Sequence, residues 1–255
     1  MFGYKFRLYP SKTIETKLIG HLDLCRCLYN RLLQELNEAR AEGRKLTFYD
    51  TQKLIVRLKN EENPELKKVH SKVLQMVNRQ LWNNIRALSR LKKNGRKVGK
   101  LRFKGKWYKT MNYNQSGFKI EENKLILSKI GTVNIKLHRQ IKGKIKGVII
   151  KRESSGKWFA VLQVEDKPEP LPKTEKATGI GIKHFLTDSK GRQIENPKFY
   201  EKTLKKIKIL QRDLSRKKRG SKNRERARIK LARAYEKLKN QRDDFLHKLS
   251  KFYIK

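Results

Sequence analysis

Half of the residues from Arg212 to Arg233 are basic: Arg212, Arg216, Lys217, Lys218, Arg219, Lys222, Arg224, Arg226, Arg228, Lys230 and Arg233. Guanidinium and ammonium groups at that density meet phosphate oxygens, with strong, salt-sensitive and largely sequence-independent affinity. The bland alternative is a solvated basic tip. Against it, the apolar positions Ala227 and Leu231 continue at helical spacing through the run. Arg216, Lys217, Lys218, Arg219, Lys222, Arg224, Arg226 and Arg228 are accordingly the candidate RNA or DNA contacts.

A second basic stretch runs from Arg96 to Tyr113 and interleaves Phe103, Trp107, Tyr108 and Tyr113 with Lys and Arg. Aromatic faces stack on bases while neighbouring cations hold phosphate, the pairing used for RNA and for single strands. The competing reading packs these rings in a core, with Phe103 as the first choice for burial. Lys104, Lys106, Trp107, Tyr108 and Lys109 are the candidate contacts here.

Other chemistries find no support. His21, His70, His138, His184 and His247 are scattered without metal-ligand spacing, and no glycine-rich phosphate loop or nucleophile elbow is present. Cys25 and Cys27 lie two apart in a helical pattern, so they point to different faces and form neither a zinc pair nor a disulfide framework. Cys25 falls on the apolar stripe as a small core residue. Free thiols indicate a reducing, cytoplasmic compartment. No catalytic residue, metal ligand or cofactor is assigned on these grounds.

The 255 residues carry 66 Lys and Arg against 24 Asp and Glu, a formal charge of +42. A field of that size calls for a polyanion, and nucleic acid is the expected one. A membrane partner is not expected: no run approaches the ~18 apolar residues of a spanning helix, and the start lacks a signal peptide's apolar stretch.

The positioning elements follow from periodicity. Tyr4 to Pro10 alternates basic and apolar residues and reads as a half-buried strand. Ser11 then caps a helix whose stripe is Ile14, Leu18, Leu22, Cys25, Tyr29, Leu32 and Leu36, with Gly43 just past its end. A second helix is expected near Asp50, with Asn63-Pro64 as an N-cap and first-turn proline. A third carries Leu74, Val77, Leu81, Ile85, Leu88 and Leu91 before Gly95. After Gly95 the period becomes two. Leu101–Phe103, Phe118–Ile120, Leu125–Leu127, Val133–Ile135, Ile145–Ile150 and Trp158–Val164 are strand candidates, forming a small barrel or sandwich that the N-terminal strand joins. The three prolines of residues 167–172 make an extended linker. Beyond it come short strands around the turn at Asp188–Gly191. Two helices then form a hairpin broken at Gly220-Ser221, with Ser221 as a cap for the second.

The run Ala177-Thr178-Gly179-Ile180-Gly181-Ile182-Lys183-His184-Phe185-Leu186 resembles the first strand of a RuvC-like nuclease domain, in particular that of the TnpB family of transposon-encoded RNA-guided DNA endonucleases. So do Tyr4–Pro10, Cys27-Leu28-Tyr29-Asn30, Phe103-Lys104-Gly105-Lys106, Ile194–Phe199 and Ser221–Arg228, in that family's order. The resemblance implies an α+β fold. Residues 1–10 and 101–165 would be a wedge-like β-barrel and 11–100 an inserted helical recognition module. Residues 166–175 would be a linker, and 176–255 a partial RNase H/RuvC-like domain with a basic helical hairpin.

The family places an Asp on that strand, in a Gly-Ile-Asp-(Val/Leu)-Gly pattern, as a ligand for the divalent metals that hydrolyse a phosphodiester. Here Gly179-Ile180 runs directly into Gly181-Ile182. Removing two residues keeps the inside/outside alternation and shortens the strand by roughly 6.6 Å. Asp188, in a turn, is read as a turn residue and not as a substitute. The chain is also expected to be truncated, stopping before the family's later carboxylates and zinc ribbon. Mg²⁺ is implied only for the intact family. The implied function is a nuclease-deficient TnpB-like protein that binds a guide-like transposon RNA and DNA, with a regulatory role. The alternatives are a RuvC-like endonuclease active only with its missing half in trans, a decayed transposase fragment, or a structural RNA-binding protein. An open sheet edge would be covered by a complementing chain, by self-association or by bound RNA.

Overall fold

A computed structural model describes residues 2–106, 108–166, 178–181 and 183–254. The chain divides into two compact units, Met1–Glu153 with Lys157–Asp166, and Ser154–Gly156 with Lys167–Lys255.

The first unit opens with strand β1 (Phe2–Tyr9) and then three helices, α1 (Lys12–Ala41), α2 (Phe48–Arg57) and α3 (Ser71–Lys93). Six further strands follow: β2 (Thr110–Asn114), β3 (Phe118–Glu121), β4 (Lys124–Leu127), β5 (Gly131–Lys136), β6 (Lys144–Arg152) and β7 (Trp158–Glu165). They join β1 in one antiparallel sheet of order β2-β6-β7-β1-β5-β4-β3. The N-terminal strand is thus central, between β7 and β5, and the helices are inserted between it and the rest of its sheet. The sheet is nearly closed. Across the opening, the Tyr113 hydroxyl of β2 donates to the carbonyl of Ser128, just past β4, at 3.4 Å.

Strand alternation puts Phe6 and Leu8 inward with Met111, Tyr113, Val148, Ile150, Trp158, Ala160, Leu162 and Val164, all buried. The apolar stripes of the helices continue the same core through Leu18, Cys25, Tyr29, Leu32, Leu74 and Leu81. Burial pushes the Cys25 thiol up to about 12, in keeping with a packed and unreactive cysteine.

Helix ends follow their chemistry. Ser11 Oγ accepts from Ile14 N, and Gly43 adopts φ +73° beyond α1. Helix α2 begins earlier than expected because Thr47 and Asp50 form a reciprocal capping box. Asn63-Pro64, expected to start a helix, opens only a single 3₁₀ turn, Pro64–Lys68. The expected strand Leu101–Phe103 is also absent. Residues 96–106 form a loop, and the strand begins at Thr110, within the stretch read as a basic aromatic patch.

The second unit has a three-stranded sheet of order β10-β9-β8, with β8 (Thr178–Ile180), β9 (His184–Asp188) and β10 (Gln193–Glu195). Helices α4 (Phe199–Arg216) and α5 (Lys222–Ile254) follow as a hairpin. Phe245 of α5 packs edge-on against Phe185 at 5.1 Å and Phe199 at 6.0 Å, fastening sheet to helix. The linker expected at 166–175 falls almost wholly outside the described residues. No helix among the described residues is long and apolar enough to cross a membrane.

Candidate nucleic-acid interface

The turn joining α4 to α5 is built from its own residues. Gly220 takes φ +84°, a conformation open to glycine without a Cβ clash, and Ser221 Oγ then caps α5 by accepting from Arg224 N at 3.1 Å. This lifts Arg216, Lys218, Arg219, Lys222 and Arg226 into solvent, all exposed. Three neighbours are used differently. The Arg224 guanidinium donates to the carbonyls of Leu214 and Lys217 at 2.8 and 2.9 Å. The Lys217 ammonium is 2.9 Å from Asp213. Arg228 donates to Glu225 at 2.8 Å, which raises its already high pKa. The hairpin tip therefore combines five outward cations with one, Arg224, that ties α5 to the end of α4 and two that pair with a carboxylate near them in sequence.

The second patch is rearranged relative to expectation. Tyr108 is mostly buried on the core, its hydroxyl donating to Gln80 Oε1 at 2.9 Å. Burial drives that hydroxyl's pKa upward. Phe103, the ring expected to be buried, is 58% exposed. The two rings exchange roles because Tyr108 leads directly into β2 whereas Phe103 lies in the loop before it. The Lys104 ammonium is 5.1 Å from the centroid of the Tyr29 ring, Lys106 is exposed, and Lys109 is half-buried. Trp107 lies outside the described residues.

Two further features escaped the linear reading. Tyr49 at the start of α2 is 74% exposed. It borders an open groove of about 280 Å³ that also presents Gln52, Lys72, Gln75, Arg79 and Asn114. On the sheet, Lys5 and Arg7 of β1 flank the Phe159 ring at 4.1 and 5.1 Å. Only the Tyr4–Pro10 alternation of basic and apolar residues foreshadowed the latter.

A divalent metal does not fit the strand where the resemblance would place one. Gly179 and Gly181 offer no side-chain ligand atom. Asp188, paired across from Thr178, is committed to its own turn: Oδ1 accepts from the backbone of Lys190 and Arg192 at 3.0 and 2.9 Å, and Oδ2 from the Tyr253 hydroxyl at 3.3 Å. These bonds hold its carboxyl below the usual range, the Arg192 amide most of all. Among the described residues no group of three His, Cys, Asp or Glu converges as a metal site.

Residues 159–254 match the family described as "Probable transposase", and residues 1–45 match its "Helix-turn-helix domain". A Streptomyces pristinaespiralis protein named "Putative RNA-guided DNA endonuclease" is 31% identical over 97% of this chain, and the Escherichia coli K12 protein "Putative RNA-guided DNA endonuclease InsQ" is 29% identical over the same share. The chain spans 63% and 62% of the length of these two relatives. A solved structure, a Cas12f1-sgRNA-target DNA complex, aligns with 99% of this chain and 70% of its own at 14% identity, with a TM-score of 0.39. The two family matches, together with the identity running along nearly the whole sequence, place this chain in the TnpB family.

Proposed function

We propose that this chain is a nuclease-deficient TnpB-like protein that binds a guide-like RNA and DNA, and that it regulates by occupying a target without cutting it. One observation carries the reading: within a single unit, the strand that would supply a metal-binding carboxylate reads Gly179-Ile180-Gly181, while the adjoining hairpin still presents Arg216, Lys218, Arg219, Lys222 and Arg226 to solvent. Grip on phosphate is retained and the means to break the ester is not. The names of the two relatives support RNA and DNA as the partners. Within this proposal residues 1–10 and 101–165 act as the wedge, 11–100 as the recognition helices and 176–255 as a partial RuvC-like domain.

A second reading, an endonuclease completed by another chain, draws on β8. It is an edge strand with Ile180 80% exposed, and such an edge accepts a further strand. One experiment tests the first reading. The purified protein should carry a discrete RNA on sequencing and should leave matched DNA intact with Mg²⁺. Random cellular RNA would remove guided binding, and cleavage by the isolated chain, abolished by chelation, would remove nuclease deficiency.

A further inference from the structure

Two short sequences singled out above, Tyr29-Asn30 and Phe103-Lys104-Gly105-Lys106, meet in space. Asn30 Nδ2 donates to the Lys104 carbonyl at 2.9 Å, and Lys104 N donates to Asn30 Oδ1 at 2.7 Å. A single side-chain amide thus satisfies both backbone groups of one loop residue, as a strand neighbour would. The same residue's ammonium is 5.1 Å from the Tyr29 ring centroid, and the Tyr29 hydroxyl accepts from Asn84 of α3 at 3.2 Å. Tyr29 is fully buried. A loop without strand or helix of its own is therefore fastened to the middle of α1 at one residue. The side chains on either side face solvent: Phe103 is 58% exposed, and Arg102 and Lys106 are exposed.

An exposed phenyl ring at a fixed position costs solvation and contributes nothing to the core, so packing does not explain it. Flanked by cations, it has the chemistry of a stacking platform. We propose that residues 102–106 form a preorganised single-strand reader. One unpaired base stacks on Phe103, its flanking phosphates meet Arg102 and Lys106, and Asn30 is the positioning residue that fixes the loop. Preorganisation matters here because ordering a free loop on binding would subtract from affinity. The inference rests on the nucleic-acid-binding reading above and adds to it a ligand class, unpaired nucleotides as opposed to duplex.

The test is fluorescence anisotropy of the full chain with labelled oligo-U, oligo-dT and a duplex of equal length, the two single strands distinguishing RNA from DNA as the source. Phe103→Ala should weaken binding of one or both single strands roughly five- to a hundredfold, with duplex binding changed less than about twofold. Phe103→Trp should restore it. Asn30→Ala should weaken the same single strand, and much less so in a Phe103→Ala background, since the two act through one contact. Unchanged single-strand affinity in Phe103→Ala, or an equal loss for duplex, would overturn the reader. An Asn30→Ala effect of full size in the Phe103→Ala background would overturn the positioning role. Wild-type protein that binds none of the three probes would instead count against the parent reading. Phe103 is exposed, so its substitution leaves folding intact, checked by an unchanged melting temperature.

Discussion

Arg224 of α5 reaches back to Leu214 of α4, donating from Nη1 to its carbonyl oxygen at 2.8 Å and to that of Lys217 at 2.9 Å. The last carbonyls of a helix lack intrahelical partners and carry the negative end of its dipole, so a guanidinium is well matched to them. One cation of the basic hairpin thus stabilises the turn that displays the others.

Arg224 and Arg219 should consequently behave as different classes. Arg224→Ala is expected to lower unfolding free energy by about 1–2 kcal/mol. Arg219→Ala should leave stability unchanged and reduce the slope of log K against log salt by about one. Urea denaturation and salt-titrated binding measure the two effects separately.

Asn78 and Thr51 are both fully buried and join α3 to α2. The Thr51 hydroxyl donates to Asn78 Oδ1 at 2.9 Å and accepts from Trp82 Nε1 at 2.8 Å, while Asn78 Nδ2 reaches Gln52 Oε1 at 3.2 Å. Asn78→Ala strands buried partners and should cost about 2 kcal/mol, read from denaturant unfolding. Loss of under half a kcal/mol would mean that the network is not holding the two helices.

His70 supplies the pH dependence. Its Nδ1 caps α3 by accepting from Lys72 N at 3.3 Å, a role open only to the neutral ring. Burial first, then Lys129 and Lys72, lower its pKa below 6.5. The unfolded state therefore binds the proton more readily, and the stabilisation is present above about pH 6.5 and lost as pH falls through the lower folded value. His21, lowered by burial and Lys17, adds in the same direction. Unfolding free energy should decline on going from pH 7 to 5. His70→Asn, which keeps a capping side chain, should flatten part of that slope in a pH series of urea melts.

Gly117 makes a related demand. Its φ is +85°, and a Cβ there would lie 2.7 Å from the His70 ring. Gly117→Ala should destabilise the protein and shift the His70 ring resonances, both visible by NMR alongside a lowered melting temperature.

Asp188 should prove to be a turn residue. Asp188→Asn is expected to speed amide exchange at Lys190 and Arg192, the two donors to its carboxylate, and Tyr253→Phe should have a smaller effect at the same amides. Unchanged exchange in Asp188→Asn would remove this account of the residue.

Much of the architecture is readable along the chain because it is written in short periods. The three- and four-residue spacing from Leu18 to Leu36 gave α1, the alternation around Phe6 and Leu8 gave β1, and Gly220-Ser221 marked the hairpin turn. The weak points were local signals with competing meanings. Asn63-Pro64 suits a helix start and a 3₁₀ turn equally well, and Leu101–Phe103 alternates like a strand but finds no partner strand.

Sequence alone determined the charge, the periodicity and the direct junction of Ile180 to Gly181, since each is a property of neighbours in the chain. Tertiary structure decided which ring of the 96–113 stretch faces water and which cations of the hairpin are occupied. Those outcomes depend on contacts such as Asn30 with Lys104, 74 residues apart. Hydrogen-bond satisfaction is a requirement of position in space, and no local pattern encodes which distant residue will meet it.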